Sequence, residues 1–309
     1  MKAIRFHEYG DINVLRYEET LTPRPGRGEV LVAVAATAFN PVDTWFRAGI
    51  IDQIFPVRFP HTLGLDLAGT VVEHGPGVDD PAIGATVIGF LPMTGPGAAA
   101  EYVTAPAELL VRAPANIPLI DAAAIPVPAL TAWQALFEHG NLVAGQRVLV
   151  NGAGGGVGGF VVQLAKQAGA EVIATASPRS VDAVRAAGAD DIIDYTAAKI
   201  ADALDVPVDL AINLVAGTGD DTADLLDVIA PGGTLVSATS PGGEFPERAQ
   251  RVVFFSVRSD TTQLIQIVDL IDSRQLQLDI SARRPLADTA QVHQQSEDGA
   301  LRGRILLIP

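Results

Sequence analysis

Glycines are concentrated at residues 152–158, directly after the apolar residues 148–150. A glycine-rich turn between a strand and a helix lets the backbone approach a pyrophosphate, and the N–H groups at the helix N-terminus stabilise its charge. The spacing is Gly152-x-x-Gly155-x-x-Gly158, because Val157 stands where a G-x-G-x-x-G pattern started at Gly152 needs its last glycine. The loop therefore predicts a nucleotide-binding site, with a glycine turn that binds nothing as the alternative. The predicted phosphate-binding residues are Gly152, Ala153, Gly155, Gly156, Val157 and Gly158.

The type of nucleotide is predicted from residues 175–180, which follow the next apolar stretch. Enzymes that use NAD place an acidic residue about 20 residues after the glycine loop, where it binds the ribose 2′-hydroxyl. Residues 175–180 contain no carboxylate, whereas Ser177 can donate to a 2′-phosphate and the Arg179 guanidinium can pair with one. This composition favours NADP. The alternative is that Arg179 is a solvent-facing residue in the first turn of a helix.

Residues 40–43, Asn-Pro-Val-Asp, predict the start of a short helix. Asparagine is a good N-cap, proline suits the first turn, and an acidic side chain stabilises the positive end of a helix. Asp43 is therefore predicted to be structural, and capping alone would also explain Asn40. A resemblance described below keeps Asn40 as a candidate site residue.

The elements that must position these residues are of two kinds. Up to about residue 114, short strands alternate with turns rich in proline and glycine, which predicts a β-rich domain. After Pro114, apolar strands alternate with helices, which predicts a doubly wound parallel sheet. The predicted strands are 2–6, 29–36, 66–74, 86–90 and 99–105 in the first part, and 147–151, 171–176, 191–194, 208–214, 233–238 and 251–256 in the second. The predicted helices are 160–168, 179–187, 220–229 and 263–273, and the tail is predicted as strand 276–280, helix 287–297 and strand 304–308.

The composition limits the classes of function. The 309 residues suffice for two domains, and 48% hydrophobic against 18% charged residues predict a globular chain. The absence of cysteine excludes disulfides, thiolate nucleophiles and zinc sites built on sulfur. With 21 Lys and Arg against 36 Asp and Glu, the net charge of −15 argues against nucleic acid as a partner. Residues 1–10 lack a secretory signal and the longest apolar stretch, 30–39, is half of the ~20 residues of a membrane span, so the cytoplasm is the predicted location.

Several short motifs occur in a fixed order along the chain. They are Met-Lys-Ala-Ile at 1–4, Asn-Pro-Val-Asp at 40–43 with Arg-Ala-Gly at 47–49, Gly-Leu-Asp-Leu-Ala-Gly at 64–69, Thr-Ala-Trp at 131–133, the glycine loop and Arg-Gly-Arg-Ile at 302–305. Over its whole length the chain thereby resembles the zinc-independent quinone oxidoreductases, relatives of zeta-crystallin in the medium-chain dehydrogenase/reductase superfamily. The resemblance implies an α/β fold in which a GroES-like β-rich catalytic domain, 1–115 completed by 276–309, accompanies a Rossmann dinucleotide-binding domain, 116–275. It also implies a homodimer.

The resemblance further implies which residues bind the cofactor. Asn40 and Thr131 would border the nicotinamide, and Ser177, Arg179 and Tyr195 would hold the 2′-phosphate end of the adenosine. Arg304 would stand where the family often has a basic residue near the cofactor. Largely backbone contacts to the adenosine, ribose and carboxamide are implied for 214–216, 237–239 and 255–257, and the residues expected to make them are Leu214, Val215, Ala238, Phe255 and Val257.

Zinc-dependent alcohol dehydrogenases of the same superfamily place a metal-binding cysteine near position 40 and a histidine after Gly64. This chain has Asn40 and Leu65 there, and its five histidines lack ligand-like spacing, so no metal is predicted. Several quinone reductases of this type carry a tyrosine where Trp45 stands, and the candidate catalytic residues are Asn40 and Trp45. An apolar, aromatic pocket for a flat acceptor is predicted, with an ordinary core as the alternative; its residues would be Trp45, Phe46, Ile50, Ile51 and Phe55.

The expected function is a metal-free, NADPH-dependent reductase that passes a hydride to a quinone. An α,β-unsaturated carbonyl or an enoyl thioester is the alternative acceptor, and the sequence does not separate these possibilities. A non-enzymatic NADPH-binding sensor is the other class considered, and the net charge of −15 argues against a nucleic-acid binder. No side chain is a convincing general acid, so protonation by water or by a relayed hydroxyl is the default.

Overall fold

A computed structural model describes residues 1–239, 245 and 247–309. These residues divide into two compact units, unit 1 with Met1–Val127 and Ser259–Pro309, and unit 2 with Pro128–Arg258. Unit 1 is rich in β-structure and unit 2 is a doubly wound α/β sheet, so the predicted fold class is confirmed. No helix in the described part of the chain is both long and apolar enough to cross a membrane.

The elements follow in chain order. The first segment contains β1 (Lys2–Phe6), β2 (Arg16–Glu19), β3 (Glu29–Ala38), α1 (Pro41–Ala48), β4 (His61–Thr62), β5 (Asp66–His74), β6 (Thr86–Phe90), β7 (Tyr102–Pro106), β8 (Leu110–Arg112) and α2 (Leu119–Ala122). The middle segment contains α3 (Pro126–Trp133), a π-helix (Gln134–His139), β9 (Arg147–Asn151), α4 (Gly158–Gln167), β10 (Glu171–Ala176), α5 (Val181–Ala186), β11 (Asp191–Asp194), α6 (Ile200–Ala203), β12 (Val208–Asn213), α7 (Gly219–Asp227), β13 (Ile229–Ser237) and β14 (Arg251–Phe254). The last segment contains α8 (Thr261–Asp272), β15 (Ile280–Pro285), α9 (Thr289–Glu297) and β16 (Arg304–Ile308).

Two sheets form unit 1. β1 pairs with β2 and β4, and the larger sheet has the order β15-β16-β3-β5-β6-β8, with β7 also paired to β3. Apolar side chains of β3, β5 and β7 fill its core, and Val30, Val32, Leu67, Val71 and Val103 are at most 1% exposed. Because β16 pairs with β3 at Leu306 and Ala38, the chain's tail completes this sheet.

A single parallel sheet forms the centre of unit 2, with the strand order β11-β10-β9-β12-β13-β14. Val148, Leu149 and Val150 of β9 are fully buried, as expected for a parallel strand that is covered on both faces. Strands β10 and β12 flank β9 on opposite sides, so the strand order reverses there. Ligands of doubly wound sheets bind beside this reversal, at the carboxyl ends of the strands.

Most predicted strands are confirmed, but the one predicted at 276–280 is wrong. The strand lies at Ile280–Pro285 instead, and its alternating burial includes Arg283 and Arg284, whose charges hid it in the sequence. Leu276 is buried because the chain turns back at the end of α8, where the N–H groups of Gln275 and Leu276 both donate to the Leu270 carbonyl.

The compact units divide at Val127 and Arg258, whereas the predicted domain boundaries lie after residues 115 and 275. Helix α8 belongs to unit 1 because Asp272 at its end binds residues next to β8. Its Oδ1 accepts the Ala115 N–H at 2.7 Å, and its Oδ2 accepts from Arg112 Nη2 at 3.0 Å. Such a contact joins residues more than 150 positions apart and leaves no local signal in the sequence.

Replacement of Asp272 tests this attachment. Asp272→Ala removes the acceptors for Arg112 and Ala115, so we expect the free energy of unfolding to fall by roughly 1 to 2 kcal/mol. Urea denaturation followed by circular dichroism measures this change. Asp269→Ala is the matched control on the exposed side of α8, and equal effects of the two substitutions would contradict the assigned role.

Candidate functional site

The strands of the unit 2 sheet run parallel, so their carboxyl ends lie at one edge. Six residues that the sequence assigned to the cofactor directly follow these ends, and others lie within a few residues of them. The six are Gly152 after β9, Ser177 after β10, Tyr195 after β11, Leu214 after β12, Ala238 after β13 and Phe255 after β14. The structure therefore brings them to the one edge where a doubly wound sheet binds its ligands.

A chain of polar side chains that the sequence analysis did not single out connects the strand ends. Thr175 Oγ1 donates to Asn151 Oδ1 at 3.1 Å, and Asn151 Nδ2 donates to Asn213 Oδ1 at 2.9 Å. Asn213 Nδ2 lies 3.4 Å from Ser237 Oγ, and the Gly152 N–H donates to Thr175 Oγ1 at 2.9 Å. These bonds fix the glycine loop against four strands. The available signal was a polar residue at the end of otherwise apolar strands, as in Val-Leu-Val-Asn.

Glycine is required at two positions of the loop. Gly152 has φ +91°, a left-handed conformation that side-chain-bearing residues rarely adopt. A Cβ on Gly158 would lie 2.5 Å from Ala153 Cα, which is backbone and cannot move aside. The loop ends at the N-terminus of α4, where the helix dipole favours a negative charge. It therefore offers donors at close range and fits the pyrophosphate of a dinucleotide.

The turn at residues 177–180 packs against this loop. A Cβ on Gly154 would lie 2.5 Å from Ser180 Oγ. Ser180 Oγ accepts the Ser177 N–H at 3.2 Å, and the Ser180 N–H donates to the Ser177 carbonyl at 2.9 Å. Ser177 is buried and Arg179 is exposed, and the turn contains no carboxylate. The Ser180 hydroxyl thus lies against the glycine loop, and Ser177 and Arg179 belong to the same turn.

The loops that follow β12, β13 and β14 begin as extensions of the sheet. The bonds run from the Leu214 N–H to the Asn151 carbonyl at 3.0 Å, from the Ala238 N–H to the Asn213 carbonyl at 3.3 Å, and from the Phe255 N–H to the Ser237 carbonyl at 3.2 Å. Val215 is 46% exposed, and Val257 is half-buried. The backbone groups predicted to contact the nucleotide are therefore anchored at one end.

A cavity of about 450 Å³ opens within unit 2 at the ends of β9, β11 and β12. Tyr195 and Val215 of the predicted set line it together with Lys199, whereas Ser177 and Arg179 do not. Carboxylates also line it, from Asp202, Asp221, Asp224 and Asp227. Because these carboxylates repel a phosphate, the turn at 177–180 suits a 2′-phosphate better than the cavity does.

Thr131, the remaining predicted residue of unit 2, lies in α3 and is 5% exposed. After Trp133 the helix continues as the π-helix that begins at Gln134. π-Helical turns are rare and occur frequently at functional sites.

In unit 1, a buried ion pair joins β5 to β16. Arg304 Nη2 donates to Asp66 Oδ2 at 2.6 Å, and the two side chains are 5% and 0% exposed. Asp66 Oδ1 accepts the Val127 N–H at 2.7 Å, and Arg304 Nη1 donates to Asn40 Oδ1 at 2.9 Å. Burial raises the pKa of Asp66, and the charge of Arg304 opposes this rise.

Asn40 occupies the N-cap position of α1, but its side chain does not cap the helix. The Asn40 amide points to the ion pair, and Asn40 Nδ2 donates to Asp66 Oδ2 at 2.8 Å and to the Ala38 carbonyl at 3.3 Å. Asp43 supplies the cap contact instead, because its Oδ2 accepts the Asn40 N–H at 2.8 Å. Both hydrogens of the Asn40 amide are thus engaged inside unit 1. This arrangement suits a positioning residue better than the predicted catalytic one.

The residues of the predicted aromatic pocket do not share one environment. Phe46 is 3% exposed and packs with the rings of Phe55 and His61, with centroids 6.2 and 6.4 Å away. Ile50 is 69% exposed, and Trp45 is half-buried. Adjacent helical residues point about 100° apart, which separates Trp45 from Phe46. Phe46 is therefore a core residue, whereas Trp45 stays a predicted site residue.

The side chains around Asn40 do not fit a zinc ion. Asn40 and Leu65 supply neither a thiolate nor an imidazole, and the Asn40 amide is already bonded to Asp66 and Arg304. The guanidinium of Arg304 also places a positive charge beside the carboxylate. Within residues 1–239, 245 and 247–309, no group of three or more His, Cys, Asp or Glu side chains could hold a metal ion.

The Asp43 carboxyl provides a test of this buried cluster. Burial raises the pKa of Asp43 from 3.8 to about 7, and the charge of Asp66 adds to the rise. Folded protein then holds a proton that the unfolded chain releases, so the free energy of unfolding falls as the pH rises from about 4 to about 7. We expect this fall in the free energy of unfolding to be on the order of 3 kcal/mol, and to be absent in the Asp43→Asn variant.

Denaturation at several pH values measures the difference between the parent protein and the Asp43→Asn variant. Asp52→Asn, which changes a carboxyl group near the end of the same region, is the control. A difference between parent and Asp43→Asn that stays constant from pH 4 to pH 7 would contradict the assignment.

Comparison with known proteins places the chain in a family. Residues 26–115 match the family described as Alcohol dehydrogenase GroES-like domain, and residues 187–307 match the one described as Zinc-binding dehydrogenase. The Chloroplast envelope quinone oxidoreductase homolog of Arabidopsis thaliana is 30% identical over 100% of this chain and 98% of its own length. An NADPH-dependent alkenal/one oxidoreductase of the same plant is 35% identical over 79% of this chain and 65% of its own length.

A solved structure is similar along the entire chain. The quinone oxidoreductase of Escherichia coli, crystallised with NADPH, covers 100% of both chains with 26% identity and a TM-score of 0.90. The GroES-like match lies within unit 1, and the dehydrogenase match spans the later part of unit 2 and most of the final segment of unit 1. This protein therefore belongs to the medium-chain dehydrogenase/reductase superfamily, as a relative of its quinone oxidoreductases.

Proposed function

We propose that this protein is an NADPH-dependent, zinc-independent reductase that transfers a hydride to a quinone. The observation that carries the proposal is the sheet edge of unit 2, where the glycine cradle contacts the turn at 177–180. The cradle suits a pyrophosphate, and the turn presents Ser177 and Arg179 without a carboxylate. Two relatives named with NADPH, the plant alkenal/one oxidoreductase and the Escherichia coli quinone oxidoreductase, support the same cofactor.

In the proposed reaction, the residues of this chain bind the cofactor and orient the acceptor. NADPH supplies the hydride, so the protein has to hold the nucleotide and present a flat acceptor to it. The α4 N-terminus and Gly152 hold the pyrophosphate, and Arg179 pairs with the 2′-phosphate. Water, or a hydroxyl relayed from solvent, is the proposed source of the proton for the reduced oxygen, since the Asn40 carboxamide is not an acid and its two hydrogens are bonded to Asp66 and Ala38.

Zinc-independence is supported by the donor groups at the positions that bear metal ligands in the zinc enzymes. Position 40 carries a carboxamide and position 65 an aliphatic side chain, and the chain contains no cysteine. The buried guanidinium of Arg304 and the Asn40 amide satisfy the Asp66 carboxylate without a metal ion. We propose that these contacts keep Asn40 in place during the reaction.

A quinone is the proposed acceptor because the full-length plant relative and the Escherichia coli structure are quinone oxidoreductases by name. An α,β-unsaturated carbonyl is the second candidate, favoured by the 35% identity with the plant alkenal/one oxidoreductase. Both acceptors are flat and conjugated, and both develop negative charge on oxygen after hydride transfer. The proposed chemistry of the cofactor is the same for the two.

Stopped-flow measurement of NADPH absorbance tests the function. Purified protein with bound NADPH is mixed with a panel of quinones, enones and enoyl thioesters. Rapid oxidation by quinones is the expected result. Oxidation by enones or thioesters alone would move the assignment to the second candidate, and tight NADPH binding without any turnover would replace it with a sensor. Addition of a chelator is expected to leave the rate unchanged.

Replacement of Arg179 tests the cofactor preference. Arg179→Ala removes the proposed partner of the 2′-phosphate, so we expect KM for NADPH to rise roughly tenfold while KM for NADH changes little. Arg185→Ala is the control, because Arg185 is exposed on α5 and pairs with Asp182 at 3.4 Å. Equal changes in KM for both nucleotides would show that Arg179 does not bind the 2′-phosphate.

A further inference from the structure

The π-helix at Gln134–His139 contacts Arg251 at the start of strand β14 and the residues that follow this strand. Its backbone is wound more widely than an α-helix, with the Gly140 N–H donating to the Ala135 carbonyl, five residues back, at 2.8 Å. Such a turn inserts one residue and rotates the side chains that follow it. Its side chains reach Phe255 and Arg258, next to the residues 255–257 whose backbone is predicted to contact the carboxamide of the cofactor.

The Gln134 side chain binds this segment through the backbone of Arg258. Gln134 Nε2 donates to the Arg258 carbonyl at 2.9 Å, and Gln134 Oε1 accepts the Arg258 N–H at 3.1 Å. The Gln134 side chain is 1% exposed, so water does not compete for either bond. A carboxamide that bonds both polar groups of one residue fixes the peptide planes on both sides of that residue, as a neighbouring strand does.

The pairing also sets the direction of the preceding carbonyl. In a trans peptide the C=O of one residue and the N–H of the next point in opposite directions. Because the Arg258 N–H points at Gln134, the Val257 carbonyl points away from it. Gln134 therefore determines which polar group this segment presents on the opposite side.

We propose that Gln134 is a positioning residue for the nicotinamide carboxamide of NADPH, acting through the backbone of residues 255–258. The proposal rests on the proposed function, because it assumes that this segment binds the cofactor. A primary carboxamide needs both an acceptor for its N–H groups and a donor for its oxygen. A backbone segment provides both only while its peptide planes are held, and the Gln134 amide holds them here.

Other contacts from the π-helix to this segment are weaker or less directional. Glu138 Oε1 lies 2.6 Å from Arg258 Nη2, but the two side chains are 32% and 53% exposed, and an exposed ion pair contributes little. The His139 ring lies 4.5 Å from the Phe255 ring, and the His139 carbonyl accepts from Arg251. Glu138 therefore offers a matched control, because it contacts the Arg258 side chain rather than its backbone.

The test compares two ligands of different length. Calorimetry measures the dissociation constants of NADPH and of 2′,5′-ADP, which lacks the nicotinamide, for the parent, Gln134→Leu and Glu138→Gln. We expect Gln134→Leu to weaken NADPH binding about tenfold and to leave 2′,5′-ADP binding within about twofold. Glu138→Gln should leave both constants within about twofold.

Other outcomes would overturn the proposal. Unchanged NADPH binding in Gln134→Leu, or an equal loss for both ligands, shows that Gln134 does not act on the nicotinamide end. Gln134→Glu keeps the acceptor for the Arg258 N–H and loses the donor, so it replaces the leucine variant under the same criterion if that variant does not fold. A parent protein that binds neither ligand would instead refute the proposed function.

Discussion

The ion pair between Asp66 and Arg304 is the interaction on which the organisation of unit 1 depends. Both side chains are almost fully buried, and removal of one partner from a buried pair typically costs about 3 to 5 kcal/mol because a charge is left without compensation. The pair also orients its neighbours: Asp66 receives the Val127 N–H and the Asn40 amide, and Arg304 donates to the Phe39 carbonyl. One salt bridge thus fixes the start of α1, the start of β5 and the position of β16 together. This pair holds the Asn40 side chain, whereas Asp43 holds the Asn40 backbone N–H.

In unit 2, neutral side chains order the candidate site instead of a buried ion pair. Amide and hydroxyl side chains at the ends of β9, β10, β12 and β13 bond one another and the glycine loop, so the sheet edge is ordered without a buried charge. Gln134 uses the same chemistry when it pairs with the backbone of Arg258. Because these side chains are neutral, the electrostatic potential beside the glycine loop depends on the N-terminus of α4 and on exposed residues such as Arg179. This potential favours an anionic ligand.

The sequence predicted the parts of this architecture that have local causes. The buried run of β9, the glycines at 152 and 158 and the acid-free turn at 177 follow from apolar periodicity, positive φ and side-chain chemistry within a few residues. The sequence did not predict features whose cause lies in a distant partner. The attachment of α8 through Asp272, the turning of the Asn40 amide toward Asp66 and Arg304, and the pairing of Gln134 with Arg258 join residues between 26 and 264 positions apart. Strand β15 was missed for another reason, because Arg283 and Arg284 lie on its two faces and a charged residue on each face masks the alternation in the sequence.

The late position of β16 determines the order in which a nascent chain can assemble. Arg304 follows Asp66 by 238 residues, so a growing chain contains the buried carboxylate long before its partner leaves the ribosome. The described strands of residues 128–258 pair with one another, and they are complete before β16 has been translated. During that interval Thr37 and Ala38 at the end of β3 lack their partners in β16, and this short edge is a place for wrong pairing. The unit that begins first is therefore the one that closes last.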